Sequence, residues 1–257
     1  MPIKQPDLSA VDGQLLDGLE FCRKVYDLFD RVGGGPEGTA RLRLRPTKTE
    51  KRLLEELVPI ARYVQARYRE GRRIKVRWSS GSQPFDAILW SSGGLVKHHV
   101  APRKLFVEVT TSVHPNEYLT RRLLHEKGGS FGAKGTCRDK KTGEIISKPH
   151  VHSNNELATD LAAQMLERIK SKGEKRYSSG TVLVVNCVTD SLILEAEWDD
   201  AIKQVNESQP HIAFREVFLL DLVMSHSATL YGSRKRRHAP TRRRRPTTPP
   251  LAARPAG

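Results

Sequence analysis

The spacing of hydrophobic residues changes twice along this chain, and this change limits the folds available to it. Over 15–32 and again over about 47–68, apolar residues recur every three or four positions, which is typical of amphipathic helices. Between 74 and 111, apolar residues alternate with polar ones in short runs bounded by turn residues, which indicates strands. A strongly apolar run at 181–188 predicts a further, buried strand. This order predicts an α/β fold with a central mixed β-sheet flanked by helices on both faces.

Breaker and capping residues set the limits of these elements. The first helix ends in the run Gly33 to Pro36. The second begins near Thr47, whose spacing from Glu50 matches a capping box, and Pro59 predicts a kink within it. We predict strands at 74–78, 85–90, 105–111, 181–188 and 213–223, turns at 81–84 and 91–94, further helices at 117–126, 155–169 and 198–205, and a mobile polar loop at 128–151.

Charge divides the chain unevenly. The sequence predicts an N-terminal helical segment packed on the core (1–46), an α/β core (47–231) and a disordered basic tail (232–257). Of the formal net charge of +15, the tail carries nine positive charges and no acid, so the remainder is only mildly basic at +6. Such a tail would neutralise phosphates of any polyanion. The alternative is a solvated extension of biased composition.

Membrane and disulfide-rich classes are disfavoured. The chain has no apolar run approaching the roughly 20 residues that cross a bilayer, and its start lacks the apolar core of a signal peptide. Cys22, Cys137 and Cys187 are far apart and form no CxxC pair, which argues against a disulfide framework or a cysteine zinc site. We therefore expect a cytoplasmic protein, with Cys22 and Cys187 as small core residues.

Two acids lie inside otherwise apolar strands. Asp86 shares a strand face with Ile88 and Trp90, and Glu108 shares one with Phe106. A carboxylate in such a position is costly unless it is paired or bound to a cation. Two acids on neighbouring antiparallel strands would hold one Mg²⁺, or Mn²⁺ as its substitute, if their carboxyl groups lie within about 8 Å. The alternatives are that Asp86 caps a turn and that Glu108 pairs with an arginine of the next helix, Arg121 or Arg122.

Two helices place further polar residues toward the sheet. At 100° per residue, Glu56 lies on the border of the apolar stripe of the second helix, whereas Glu55 faces solvent. On the helix at 155–169, Gln164 and Arg168 lie within the apolar face, where polar groups need partners. These positions predict that Glu56, Gln164 and Arg168 approach the two strand acids.

This arrangement resembles the PD-(D/E)XK, or restriction-endonuclease-like, nuclease superfamily over about 47–190. The segment Pro84-Phe85-Asp86 corresponds to the proline-aspartate motif with one inserted residue, and Glu108-Val109-Thr110 to the acid-x-lysine motif. Glu56 matches the acid of the first helix, and Gln164 the polar residue of the later helix. The resemblance implies Asp86 and Glu108 as metal ligands and Mg²⁺-dependent hydrolysis of nucleic acid, DNA rather than RNA.

The lysine of the second motif is replaced by Thr110, which cannot stabilise charge on a phosphorane. Arg168 is the predicted substitute, because lysine migration occurs within the superfamily. Lys104 has the right strand face but lies roughly 13 Å away. The alternatives are a catalytically inactive nucleic-acid-binding protein of nuclease fold and a plain interaction domain with structural acids. Basic residues predicted to contact nucleic-acid phosphates are Arg121, Arg122, Lys134, Arg236 and Arg243.

A zinc site is a weaker hypothesis. His150 and His152, with Cys137 upstream, supply zinc-type ligands, but no fourth ligand has the usual spacing. A serine or cysteine nucleophile is unsupported, since no GxSxG motif occurs.

Deleting residues 233–257 is expected to leave Tm nearly unchanged, because residues outside a packed core add little to stability. Nucleic-acid affinity is expected to fall, with a flatter dependence on salt. Thermal melts and binding titrations at several salt concentrations measure both effects. An unchanged salt slope would show that the tail does not touch phosphate.

Overall fold

The computed structural model describes residues 7–35, 37–151, 153–189, 193–208 and 212–231, with the backbone alone at 154. Its strands are β1 (Leu16–Asp17), β2 (Arg73–Trp78), β3 (Ala87–Ser92), β4 (Lys104–Ser112), β5 (Thr136–Arg138), β6 (Ile145–Ser147), β7 (Thr181–Cys187), β8 (Glu216–Leu220) and β9 (Ser227–Tyr231). Its helices are α1 (Gly18–Gly33), α2 (Gly38–Leu44), α3 (Lys48–Arg52), a π-helical turn (Leu53–Leu57), α4 (Val58–Arg67), α5 (Gly94–Lys97), α6 (Glu117–Lys127), α7 (Asn154–Gly173) and α8 (Glu195–Glu207).

Seven strands form one mixed sheet in the order β1-β2-β3-β4-β7-β8-β9. The strands from β1 to β4 pair antiparallel, β4 pairs parallel with β7 and β7 with β8, and β9 closes the far edge antiparallel to β8. The predicted α/β class with a mixed sheet is confirmed. So is the antiparallel pairing of the two strands at 85–90 and 105–111.

Helices cover the sheet on both faces, as the sequence predicts. On one face α1, the π turn and α4 pack on inward residues such as Val76, Leu89 and Val107. On the other, α7 and α8 pack on β7, β8 and β9 through residues such as Leu183 and Val217. Consecutive residues of β7 enter opposite cores because side chains alternate along a strand, which explains why this strand is apolar throughout.

The N-terminal segment joins the sheet as well as the helical layer. Leu16 and Asp17 form the short strand β1 beside Val76 and Lys75 of β2. Asp17 also accepts a hydrogen bond from the Leu19 backbone N–H at 3.0 Å and thereby caps α1. The chain thus enters its first helix directly from the sheet edge.

Several predicted elements differ from the observed ones. The segment predicted as a mobile loop contains the antiparallel hairpin β5–β6. The predicted turn at 91–94 leads into the short helix α5, and the strand predicted at 213–223 ends at Leu220 and is followed by β9. Asp86 lies one residue before β3 rather than inside it, and α7 runs four residues beyond the predicted end at Ile169.

The second helix begins as predicted but is not regular. Thr47 and Glu50 form the predicted capping box. The following π turn carries a hydrogen bond from the Val58 N–H to the Leu53 carbonyl, one residue wider than an α turn. Pro59 stands at the start of α4, directly after this turn, where its missing N–H is tolerated.

The burial of the cysteines can be compared with its prediction, whereas the predicted basic tail at 232–257 lies outside the described residues. Cys22 and Cys187 are buried, as predicted, Cys137 is exposed, and all three are free thiols. Among the described residues, no helix combines the length and apolar character needed to cross a bilayer.

Glu50 joins two elements through a buried charge. Its side chain is fully buried and forms an ion pair with Arg41 while capping α3 with Thr47. Burial raises the carboxyl pKa, but the hydrogen bonds from Thr47 and Arg41 outweigh it and lower the pKa. The segment preceding the core is therefore fixed to it by a charge-assisted contact.

Glu50→Gln is expected to lower the free energy of unfolding by about 3 kcal/mol, because it leaves Arg41 without its partner. Urea denaturation of the variant and the wild type measures the difference. Glu37→Gln is the control, since Glu37 is exposed and its side chain caps nothing. Equal loss in both variants would show that the buried pair is not special.

Candidate active site

Asp86 is held against β4 by two backbone contacts. Its own N–H donates to the Val107 carbonyl at 2.8 Å, and its carboxylate accepts the Val109 N–H at 2.7 Å. The two contacts lie on either side of Glu108 in β4, so Asp86 is fixed beside that residue. The hypothesis that Asp86 caps a turn does not fit, because its carboxylate bonds to a strand twenty-three residues away in the chain.

The environment of Asp86 opposes its ionisation. Burial is the largest effect and raises the pKa of this carboxyl to about 7, and the nearby charges of Glu108 and Glu56 raise it further. The Val109 N–H and the Lys172 ammonium act in the opposite direction. The charges of Glu108 and Glu56 therefore both act on Asp86, in addition to its burial.

Glu108 is paired with a residue that the sequence analysis missed. The Lys172 ammonium donates to Glu108 Oε1 at 2.5 Å, and the Tyr177 hydroxyl donates to the same oxygen at 3.3 Å. Burial and the Glu108 carboxylate raise the pKa of the Tyr177 hydroxyl. Arg121 and Arg122, the alternative partners of Glu108, form ion pairs instead with Glu117 and Glu126 of their own helix.

Glu56 approaches the two strand acids from the helical layer. Its Oε2 accepts a hydrogen bond from the Trp78 indole N–H at 3.1 Å, at the end of β2. Burial raises the pKa of Glu56, and its charge is felt by Asp86. The helical spacing predicts this orientation of Glu56. Glu55, predicted to face solvent, is instead half-buried and pairs with Arg45. Glu56 lies within the π turn, whose wider geometry sets its direction.

The sequence analysis does not identify Lys172 because the predicted helix ends at Ile169, three residues before it. It lies one turn beyond Arg168 on α7, on nearly the same helix face, and its neighbours form a polar run that resembles a helix end. Gln164 and Arg168 are half-buried on α7, about 12 and 6 Å before Lys172 along the axis. Among the described residues, neither is hydrogen-bonded to the three acids. Thr110 is half-buried two residues beyond Glu108.

The cations predicted to bind nucleic acid are already paired where the structure describes them. Arg121 is 3.5 Å from Glu117, Arg122 is 2.6 Å from Glu126, and Lys134 is paired with Asp160. Arg236 and Arg243 lie outside the described residues, as does His152 of the zinc hypothesis.

A different set of cations is exposed on the sheet beside Glu108. Lys75, Trp90 and Lys104 form one row across β2, β3 and β4, and Arg77 and Phe106 belong to the next row. The Arg77 guanidinium lies 5.5 Å from the Trp90 ring centre, and the Lys104 ammonium 4.7 Å from that of Phe106. Asp17 is opposite Lys75 on β1, but its carboxylate caps α1. We call Lys75, Arg77, Trp90, Lys104 and Phe106 the basic sheet face.

No family model, curated protein or solved structure matches this chain. Within the described ranges, no group of three or more His, Cys, Asp or Glu side chains is arranged to hold a metal ion. The geometry thus consists of Asp86 hydrogen-bonded to β4, Glu108 within β4, Glu56 from the π turn, and Lys172 from α7.

The raised pKa of Asp86 predicts a stability that depends on pH. In the folded state Asp86 keeps its proton up to about pH 7, whereas unfolded aspartate loses it near pH 4. Stability without metal should therefore fall as pH rises from about 4 to 7, by at most about 1.4 kcal/mol per pH unit. Asp86→Asn should remove this slope and be more stable than the wild type at pH 8. Denaturation at pH 5 and pH 8 tests it, with Asp200→Asn, an exposed site, as the control; an equal slope in both variants contradicts the assignment.

Proposed function

We propose that this protein is a Mg²⁺-dependent nuclease of the restriction-endonuclease-like type, which hydrolyses phosphodiester bonds in nucleic acid, DNA more readily than RNA. The observation that carries the proposal is the Lys172–Glu108 contact beside Asp86. It supplies, from a helix, the cation that the motif Glu108-Val109-Thr110 lacks. Acid, acid and lysine are then the same three groups that the family resemblance requires.

The residues present fit a magnesium ion. Asp86 and Glu108 offer hard oxygen ligands, and both Glu108 contacts use Oε1, which leaves Oε2 for an ion. Mg²⁺ is commonly held by only one or two carboxylates plus water and substrate phosphate, so a site of two acids is sufficient. A divalent cation would also relieve the crowding of negative charge that raises the pKa of Asp86.

When bound, Mg²⁺ acts as a Lewis acid on the phosphoryl group and makes hydroxide available near neutral pH. The protein's own groups would act around it. The Asp86 carboxylate, oriented by the Val109 N–H, binds the ion. Glu56, held by Trp78, orients a water molecule. Lys172 neutralises charge that develops on the phosphate oxygens.

The basic sheet face supports nucleic acid as the substrate. It holds three exposed cations and two half-buried rings on the same side of β4 as Glu108. Lysine and arginine attract the phosphate backbone, and aromatic rings stack on unpaired bases. A nucleic-acid strand bound along this face would have its scissile phosphate next to the acids.

The second candidate is a nucleic-acid-binding protein of the same fold without activity. One reason in its favour is that Thr110 stands where the motif has its lysine. Another is the ion pair, because Lys172 neutralises the charge of Glu108 without any metal. Mn²⁺ binding is expected for the nuclease and for this inactive protein, whereas a plain interaction domain with structural acids would not bind it.

Asp86→Asn and Glu108→Gln are each expected to abolish Mg²⁺-dependent cleavage, because each removes one ligand charge at nearly constant shape. Lys172→Met is expected to lower kcat by roughly 100-fold, with Lys172→Arg recovering part of it. Single-turnover cleavage of DNA and RNA measures these effects, with circular dichroism confirming the fold. Lys170→Met is the matched control, since Lys170 is exposed on the same helix.

Each result separates the candidates. Cleavage by the wild type with loss in all three variants supports the nuclease. Mn²⁺ binding and nucleic-acid binding without cleavage favour the inactive protein. If Glu108→Gln unfolds the protein, the acid is a structural partner of Lys172, since breaking such a pair costs about 3–5 kcal/mol.

A further inference from the structure

A second charged site lies on the other face of the sheet. A cavity of about 490 Å³ opens between the end of α4, the segment after α5 and the starts of β4 and β8. Four arginines line it: Arg67, Arg69, Arg72 and Arg215. It lies at Leu105, three residues before Glu108 on β4 and on the opposite face, so it is separate from the candidate active site.

The positive charge of this cavity is only partly balanced. Glu216 is the sole acid among the described lining residues, and its Oε1 accepts both the Tyr63 hydroxyl at 2.6 Å and the Arg67 guanidinium at 3.0 Å. Among the described residues, no carboxylate forms a hydrogen bond or an ion pair with Arg69, Arg72 or Arg215, although the charge of Glu216 reaches Arg72. Glu70 is exposed on the adjacent surface and does not line the cavity. The sequence has one acid outside the described residues, Asp190, so the chain itself has little further negative charge to supply.

Arg72 shows most clearly that a partner is missing. Its side chain belongs to a residue only 8 % exposed, and its Nε donates to the Ser91 hydroxyl at 3.2 Å. Its Nη2 is buried without a hydrogen-bond partner. Burial lowers the pKa of this guanidinium, and the charges of Arg67 and Arg69 lower it further, whereas Tyr63 and Glu216 act in the opposite direction without preventing the fall. A buried cation beside two others is destabilising unless an anion compensates for it.

The opposite wall of the cavity is apolar. Leu95, Val100, Ala101 and Pro102 form it, and the Tyr231 ring lies at the rim, 70 % exposed. The volume falls within the range of sites for small organic ligands, about 300–1,000 Å³. Arginine forks match phosphate oxygens, whereas an apolar wall and a tyrosine ring suit a planar ring system.

We propose that this cavity binds a phosphate ester that carries a planar ring, of the size of a mononucleotide, with Arg69, Arg72 and Arg215 holding the phosphate. The same chemistry is offered by a free nucleoside monophosphate and by the 5′-phosphorylated end of a nucleic-acid strand. The site is independent of the nuclease proposal, because none of these residues contacts Asp86 or Glu108.

The test is ligand-dependent thermal stability together with calorimetric titration of the full chain. Adenosine monophosphate is expected to raise Tm and to bind more tightly than inorganic phosphate, and adenosine is expected to have no effect. Arg69→Gln with Arg215→Gln should weaken binding at least tenfold, since both side chains are exposed and their removal spares the core. Arg72 is left intact because its burial makes it a folding residue.

Lys170→Gln with Lys203→Gln is the matched control, which removes two exposed charges from α7 and α8 on the other sheet face. Its binding should equal that of the wild type. Equal weakening in both double variants, retained binding in the arginine variant, equal binding of adenosine, or no Tm change with any phosphate ligand would each overturn the proposal. A 5′-phosphorylated oligonucleotide and its 5′-hydroxyl counterpart identify the source: tighter binding of the former than of the monophosphate assigns the site to a strand end.

Discussion

The alternation of side chains along β4 is the constraint on which the rest of the structure depends. Leu105, Val107 and Val109 enter the core beneath α1 and α4, which leaves Phe106, Glu108 and Thr110 on the opposite side. The same strand is the point at which the sheet changes from antiparallel to parallel pairing. A slip of one residue would place Glu108 in an apolar core and remove Leu105, Val107 and Val109 from it. Hydrophobic burial therefore holds the acid in place without any contact to the acid itself.

The molecule keeps its two unusual charge groups apart. The acids Asp86, Glu108 and Glu56 gather where β3 begins, whereas the arginines gather where β4 and β8 begin on the other face. Among the described residues each group is incompletely paired: Lys172 forms an ion pair with Glu108 alone of the three acids, and Glu216 forms one with Arg67 alone of the four arginines. A charge left unbalanced in a half-buried place is an energetic cost that folding alone does not explain. A cation at the first group and an anion at the second would each remove that cost.

The sequence predicts the layers well and the polar partners less well. Hydrophobic spacing is set by the cores, so α1, β2, β4 and β7 lie close to their predicted places. The hairpin β5–β6 was missed because three-residue strands in a polar segment carry almost no periodic signal. β9 was missed for a related reason, since an edge strand buries little. Asp86 and Glu56 were found by their positions beside apolar stripes, which depend on local geometry alone.

Lys172 shows where such inference ends. Its pairing with Glu108 joins residues sixty-four positions apart, and no local pattern marks it. The helix that carries it continues past the last apolar residue, Ile169, because tertiary contact rather than propensity sustains the final turn. Long flexible cations are the hardest partners to assign from sequence, since their ammonium groups reach several ångströms from the backbone position that a pattern can predict.

The π turn at 53–57 adds one residue to the helix that runs from Lys48 to the end of α4. It accommodates one residue more than an α-helix of the same rise, so the segments before and after it are out of phase by about 100°. Removing a single residue here would restore regular hydrogen bonding and still leave a continuous helix from Lys48 to the end of α4. In such a shortened helix, only one half of the apolar stripe could face the sheet, and the other half would be turned away. The hydrogen bond between Trp78 and Glu56 would be lost. The extra residue thus rotates the face of α4 relative to that of α3, so that both halves of the helix pack on the sheet.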